Sequence, residues 1–147
     1  MKIQGLFWLC LAIFLAGACK NKFAGPLVGQ WTITKSENQC RNPSTRASLD
    51  SSTTAYNPSG STLQLLPTRR YISMNPLRRS MGLPDQKEGK YELIGDSLVL
   101  SISGEKKWGF RIVSLNKDKL VLVSDLMVDD EPCTVTTYYD RTGTPEN

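Results

Sequence analysis

Period-two alternation dominates the second half of the chain. Leu98/Leu100/Ile102, Trp108/Phe110/Ile112 and Leu120/Leu122 each put apolar side chains at every other position, the spacing of a strand with one buried face. Five strands of ordinary length follow: Gly89–Ile94, Ser97–Ser103, Lys107–Ser114, Lys119–Ser124 and Cys133–Asp140. Gly95-Asp96, Gly104-Glu105 and Asn116-Lys117-Asp118 separate them with hairpin-turn chemistry, and Leu126–Pro132 is an acidic connection. The first half is patchier. Leu27–Thr34 reads as a strand with Trp31 and Ile33 on one face, and Thr62–Leu66 and Arg70–Met74 read as two short strands around Pro67-Thr68-Arg69. Between the first two lies Ser36–Ser61, rich in Ser and Thr, with Pro43, Pro58 and Gly60 and few apolar residues. A structureless loop of that length is uncommon in a compact domain and tends to be functional or mobile. A short helix around Ser44–Asp50 is the element it offers, on poor propensity. Asn75–Lys87 is loop-like too, with Pro76, Gly82 and Pro84. Eight short strands in meander order, with no helices to cover an open sheet, predict an all-β chain that closes into an antiparallel barrel. Closure removes the exposed edges that invite aggregation. An open sandwich is the competing architecture.

The first nineteen residues follow a different pattern. Lys2 precedes an apolar run over Leu6–Ala16, then come Gly17-Ala18-Cys19 and a polar switch at Lys20-Asn21-Lys22. The run is shorter than the roughly 20 residues that a spanning helix needs, so it reads as a cleavable export signal. The window around Leu15-Ala16-Gly17-Ala18-Cys19 resembles the lipobox of bacterial lipoproteins, with Ala16 where leucine is commoner. That resemblance implies residues 1–18 as signal peptide, acylation of the Cys19 thiol (palmitate or a similar chain) and a lipidated tether over residues 19–26. Fully extended, Lys20–Pro26 reaches at most ~25 Å, which keeps the domain close to the bilayer. Lys20 is not the aspartate associated with inner-membrane retention in some bacteria, so the expected address is the cell envelope, at the outer membrane. The alternative is an ordinary secretory signal that happens to contain a cysteine.

Composition narrows the function. Without residues 1–18 the chain keeps 17 cationic against 14 acidic side chains, a scattered net charge of +3 that lacks the clustering of a nucleic-acid surface. Histidine is absent, which removes Ser-His and Cys-His nucleophile pairs and every His-ligated metal site. No Ser-x-x-Lys motif occurs. Glu88 with Glu92, and Asp129 with Asp130, are the available carboxylate pairs, and nothing in the sequence places them in a pocket. The acidic run Asp125, Asp129, Asp130, Glu131 lacks the spacing of a Ca²⁺ loop. We therefore expect no enzyme, no metal and no cofactor. Of the four cysteines, Cys10 leaves with the signal and Cys19 is taken by lipid. Cys40 and Cys133 remain, either as two separate thiols or as a disulfide of the kind exported proteins retain. The bridge would stabilise the fold by up to ~4.7 kcal/mol on the chain-entropy model, with 2–4 more usual.

Leu27-Val28-Gly29-Gln30-Trp31 carries the Gly-x-Trp of the lipocalin superfamily. Gly89–Leu100, Phe110–Leu115 and Thr137-Tyr138-Tyr139-Asp140-Arg141 are similar to the small lipocalin-like lipoproteins of Bacteroidetes-type bacteria. The resemblance spans about residues 27–36 and 88–141, and implies a barrel over 27–141 followed by a tail, 142–147. In a closed meander the last strand runs antiparallel beside the first. Arg141 then comes to Trp31, where a guanidinium over the indole would close the barrel floor by cation–π contact. The same geometry brings Cys40 to Cys133. Trp31 as a plain core residue and Arg141 as a solvated tail residue are the simpler alternatives.

In such barrels the end opposite the floor is a mouth, and here residues 37–61 would form its lid, with the mouth facing away from the membrane. Tyr91, Leu98, Leu100, Trp108, Phe110, Ile112 and Leu122 are the candidates for a ligand cavity, together with Leu93, Ile102, Leu120 and Val135. An eight-stranded interior either holds one small ligand or is filled by its own side chains. Arg69, Arg70, Arg78 and Arg79 are the basic cluster to set around the mouth, for an anionic headgroup or simply as a solvated face. The expected function is a membrane-anchored, monomeric lipoprotein that binds or sequesters a small hydrophobic ligand. The alternative is a non-catalytic protein–protein interaction module of the envelope with a filled barrel.

Overall fold

The computed structural model describes residues 21–41, 48–54, 60–102, 107–128 and 130–143. The signal segment 1–18, Cys19, residues 42–47 and 55–59 of the expected lid, the Gly104-Glu105 turn, Asp129 and residues 144–147 lie outside the described residues. The chain is all-β, with nine strands among the described residues: β1 Gly29–Arg41, β2 Ser48–Thr54, β3 Thr62–Leu65, β4 Arg70–Met74, β5 Gln86–Ile94, β6 Ser97–Ser101, β7 Lys107–Leu115, β8 Lys119–Val128 and β9 Glu131–Gly143. The described residues also include two single-turn helices, α1 Ala24–Leu27 and α2 Leu77–Ser80.

From β3 onward each strand pairs antiparallel with the next, and β1 pairs with both β3 and β9. Eight strands, β1 and β3–β9, thereby close into an antiparallel meander barrel. The first strand does two jobs along one edge: Gly29–Thr32 pairs with β3, and Ser36–Arg41 pairs with β2. β9 runs along its other edge from Gln30 to Cys40. The upper parts of β1, β8 and β9, with β2, thus form an arm that continues the barrel wall past the end of β3. The expected lid is corrected here. Over its described residues it is two hydrogen-bonded strands in the plane of the wall, and Ser48–Asp50, expected within a helix, is strand. Serine- and threonine-rich backbone satisfies its N–H and C=O groups against the edge of β1 as well as apolar backbone would.

Two bulges keep the inside apolar. Ile33 pairs with Tyr139 and Lys35 with Tyr138, leaving Thr34 as the extra residue. Without it the odd-numbered alternation would carry Lys35 and Glu37 indoors; with it Ser36 turns inward and is 7% exposed, because one added residue flips every later side chain. Val113 does the same in β7, where Ile112 faces Leu122 and Leu115 faces Leu120. Val113 itself is left exposed.

Candidate functional site

One end of the barrel is packed shut. Asn21 Nδ2 donates to the Gly95 carbonyl (2.8 Å), the half-buried Phe23 ring packs on the core, and α1 delivers a fully buried Leu27. Trp31 is also fully buried, its Nε1 donating to the Leu27 carbonyl at 2.9 Å. Arg141 lies over that indole with Cζ 4.2 Å from the ring centroid. Its guanidinium donates from Nη1 to the Val28 carbonyl, from Nη2 to Pro26 and from Nε to Lys117. One side chain thus ties the N-terminal segment, the β7–β8 turn and β9 together. Gly29 belongs to the same device. Its φ is +154° and a Cβ there would overlap Arg141 Nη1, so only glycine lets the guanidinium approach the chain. The segment expected as a short tether over 19–26 is docked on this closed end from Asn21 onward.

The inner layers next to the closed end are solid. Leu65, Leu98 and Leu120 are fully buried and Ile112 nearly so. Tyr91 is buried with its hydroxyl donating to the Leu66 carbonyl at 2.8 Å. Burial raises the pKa of Tyr91, opposed by the nearby Arg69 cation, and raises that of Tyr71 as well. Of the expected cavity residues, Tyr91, Leu98 and Ile112 therefore fill this half.

The other half is hollow. A cavity of about 210 Å³ opens among Ile33, Leu63, Leu100, Phe110, Leu122 and Tyr139, with Ser61, Thr62, Ser73, Met74 and Asn75 at its rim. Leu100, Phe110 and Leu122 are among the expected residues; Ile33, read in sequence on the face of Trp31, and Leu63, Met74 and Tyr139 join them from strands whose apolar positions were not assigned to a cavity, and Ser61, Thr62, Ser73 and Asn75 carry no apolar signal for the alternation to show. Ser61 is 3% exposed, and its Oγ has no hydrogen-bond partner among the described residues. Beyond Phe110 the wall itself parts. β7 pairs with β8 only from Arg111↔Val123 to Leu115↔Leu120, so Lys107–Phe110 and Ser124–Val128 diverge. They flank a cleft of about 640 Å³ lined by Trp108, Phe110, Ser124 and Leu126 among others. Phe110 lies on both hollows.

The basic cluster is divided. Arg69 and Arg70 sit at the β3–β4 turn, whose Leu66–Arg69 stretch lies at the closed end, and Arg70 pairs with Glu88 (2.9 Å). Arg78 and Arg79 are in the β4–β5 connection at the open end. There they are engaged locally, Arg78 Nε with the Pro84 carbonyl (2.9 Å) and Arg79 with Asp85 (2.8 Å). The four arginines do not gather around the mouth, because β4 carries one pair away from the other. Cys40 and Cys133 face each other across β1 and β9 and form a disulfide. It clasps the arm. On the outer face of the same strands Lys35, Glu37 and Tyr138 form a small polar cluster, with Tyr138 Oη donating to Glu37 at 2.9 Å and Lys35 ion-paired to Glu37. Among the described residues no group of His, Cys, Asp or Glu is placed to hold a metal ion, and no helix is long and apolar enough to cross a membrane.

No protein-family model matches the chain, and no curated protein matches it in sequence.

Proposed function

We propose that this is a lipid-anchored envelope lipoprotein whose barrel holds one small apolar or aromatic-bearing ligand in its open half. The observation that carries the reading is the contrast inside one barrel. The closed half is packed with buried side chains, Leu65, Leu98, Ile112 and Leu120 among them, while the open half keeps a cavity of about 210 Å³ lined by apolar and uncharged polar side chains. Natural interiors are close-packed with few voids larger than a water molecule, so an apolar hollow open at one end is best read as a site. It is smaller than the ~300–1,000 Å³ usual for drug-sized ligands. The ligand is therefore compact, or it extends past Phe110 into the adjoining cleft.

The anchor belongs to the same proposal. Cys19 is separated from the docked Asn21 by Lys20 alone, so an acyl chain on Cys19 would hold the closed end against a bilayer with the open end pointing away. Catalysis has no place in this reading, which needs only burial and release.

N-phenyl-1-naphthylamine, a neutral apolar fluorophore, tests the ligand site. We expect saturable binding at one site per barrel, lost on Ser73→Phe, which fills the cavity from its rim. A wild-type protein that binds no such probe and carries no ligand in native mass spectrometry would overturn the reading in favour of an interaction module with a filled barrel. For the anchor, Cys19→Ala should abolish metabolic incorporation of palmitate and release the protein from membranes.

A further inference from the structure

The inner face of the open half carries a cation. β5 begins at Gln86, and along it Lys87, Gly89 and Tyr91 alternate inward while Gln86, Glu88 and Lys90 are exposed. Gly89 is forced by close approach, since a Cβ there would overlap the Ser101 carbonyl and the Tyr71 ring. Its inward direction is thus set by packing, and Lys87 shares it. Across β4–β5 Lys87 is the direct partner of Ser73, which lines the cavity, and directly opposed Cβ atoms stand ~4.5–5.5 Å apart. Its Nζ lies 5.5 Å from the ring centroid of Trp108, which lines the cleft. The ammonium therefore stands between the two hollows.

Its charge has no counter-ion among the described residues. The acidic groups of the neighbouring chain are engaged elsewhere: Asp85 with Arg79, and Glu88 with Arg70 on the outer face. Among the described residues no carboxylate pairs with Lys87, and in β3–β7 it is the one charged side chain at an inward position. A lysine on an outer wall needs no explanation. One turned inward beside an apolar cavity, half-buried and 5.5 Å from an indole centroid, gives up part of its hydration with no ion pair among the described residues.

We infer that Lys87 is the headgroup anchor of the site, and that its ligand is a small amphiphile with one anionic group and a compact apolar or aromatic body. The anionic group, a carboxylate, sulfonate or phosphate, would meet Nζ at the rim. The body would lie against Phe110 in the cavity and along Trp108 in the cleft. This rests on reading the open half as a ligand site, and it names the ligand chemistry that reading leaves open.

Two probes sharing one framework test it: neutral N-phenyl-1-naphthylamine and its sulfonated relative, 8-anilinonaphthalene-1-sulfonate. The wild-type protein should prefer the sulfonate, and added salt should weaken that preference. Lys87→Met should weaken sulfonate binding roughly tenfold, the scale of one charge-assisted contact, while neutral binding stays within about twofold. Lys87→Arg should retain the preference. Ser73→Phe should remove both. Should Lys87→Met weaken both probes equally, or neither, the anchor is overturned while the cavity reading stands. Should neither probe bind the wild-type protein, the cavity reading fails and the anchor fails with it.

Discussion

The two halves of the barrel are made by the same strands and differ in what those strands point inward. Towards the closed end the inward positions are Trp31, Leu65, Tyr91, Leu98, Ile112 and Leu120, all buried, and the buried polar groups are answered: Trp31 Nε1 by Leu27, Tyr91 Oη by Leu66. Towards the open end Ser61, Ser73 and Lys87 stand among Leu63, Leu100, Phe110 and Leu122, and the small or polar side chains leave part of the width that eight strands enclose unfilled. A few side-chain choices along otherwise continuous strands therefore separate a plug from a cup. The closed end also gathers chain from three places onto Arg141, whereas β7 and β8 part company at the open end.

The comparison is broken most directly by truncating one aromatic in each half. Trp31→Ala removes a fully buried indole and its hydrogen bond, and should cost about 3–5 kcal/mol in urea unfolding. Phe110→Ala enlarges a space that is already open and should cost about 1–2 kcal/mol. Equal losses would mean that the open half is packed as firmly as the closed one.

Cys40–Cys133 sharpens the comparison from the arm. The two residues are 93 apart in sequence, so the bridge restricts a long stretch of unfolded chain. Replacing both by Ser should cost about 2–4 kcal/mol. Because the disulfide clasps the arm and neither sulfur lines the 210 Å³ cavity, binding of a neutral apolar probe should persist at temperatures where the variant is folded. Loss of probe binding with the barrel intact would make the arm part of the cup.

Much of this architecture is legible in the sequence. The alternation of β6, β7 and β8 marks their buried faces residue by residue. Closure follows from eight strands without a helix, and closure places Arg141 by Trp31 and Cys40 by Cys133. The arm was not legible. β2 is Ser-Leu-Asp-Ser-Ser-Thr-Thr, and a strand held by backbone pairing to one neighbour need not alternate. The docking of Asn21–Leu27 was hidden for a similar reason, since it rests on the side chains of one asparagine, one phenylalanine and one leucine and on backbone carbonyls that accept from Arg141 and Trp31. Lys87 could have been found by carrying the register of Tyr91 back through Gly89, but a lysine at the start of a strand reads as its exposed end. The arginines misled by number: four cations close in sequence were assigned to one place, although β4, which begins at Arg70, carries the chain from one end of the barrel to the other before Arg78.

The smallest expected effect concerns the outer face of the arm, at Glu37. Its carboxyl is held below the ordinary value of 4.5, first by the hydrogen bond from Lys35 and next by that from Tyr138. The folded protein therefore binds this proton less readily than the unfolded chain does. The resulting stabilisation is present above pH 4.5 and is lost as pH falls through the lowered folded value. The group is solvent-facing, and pairs of this kind contribute little, so the test is a difference and not an absolute stability. Unfolding midpoints of the wild-type protein and Glu37→Gln should differ slightly at neutral pH and converge in acid. A gap that stays constant from neutral pH into acid would show that Glu37 acts through packing on Tyr138 rather than through its charge, and would detach this cluster from the electrostatics of the arm.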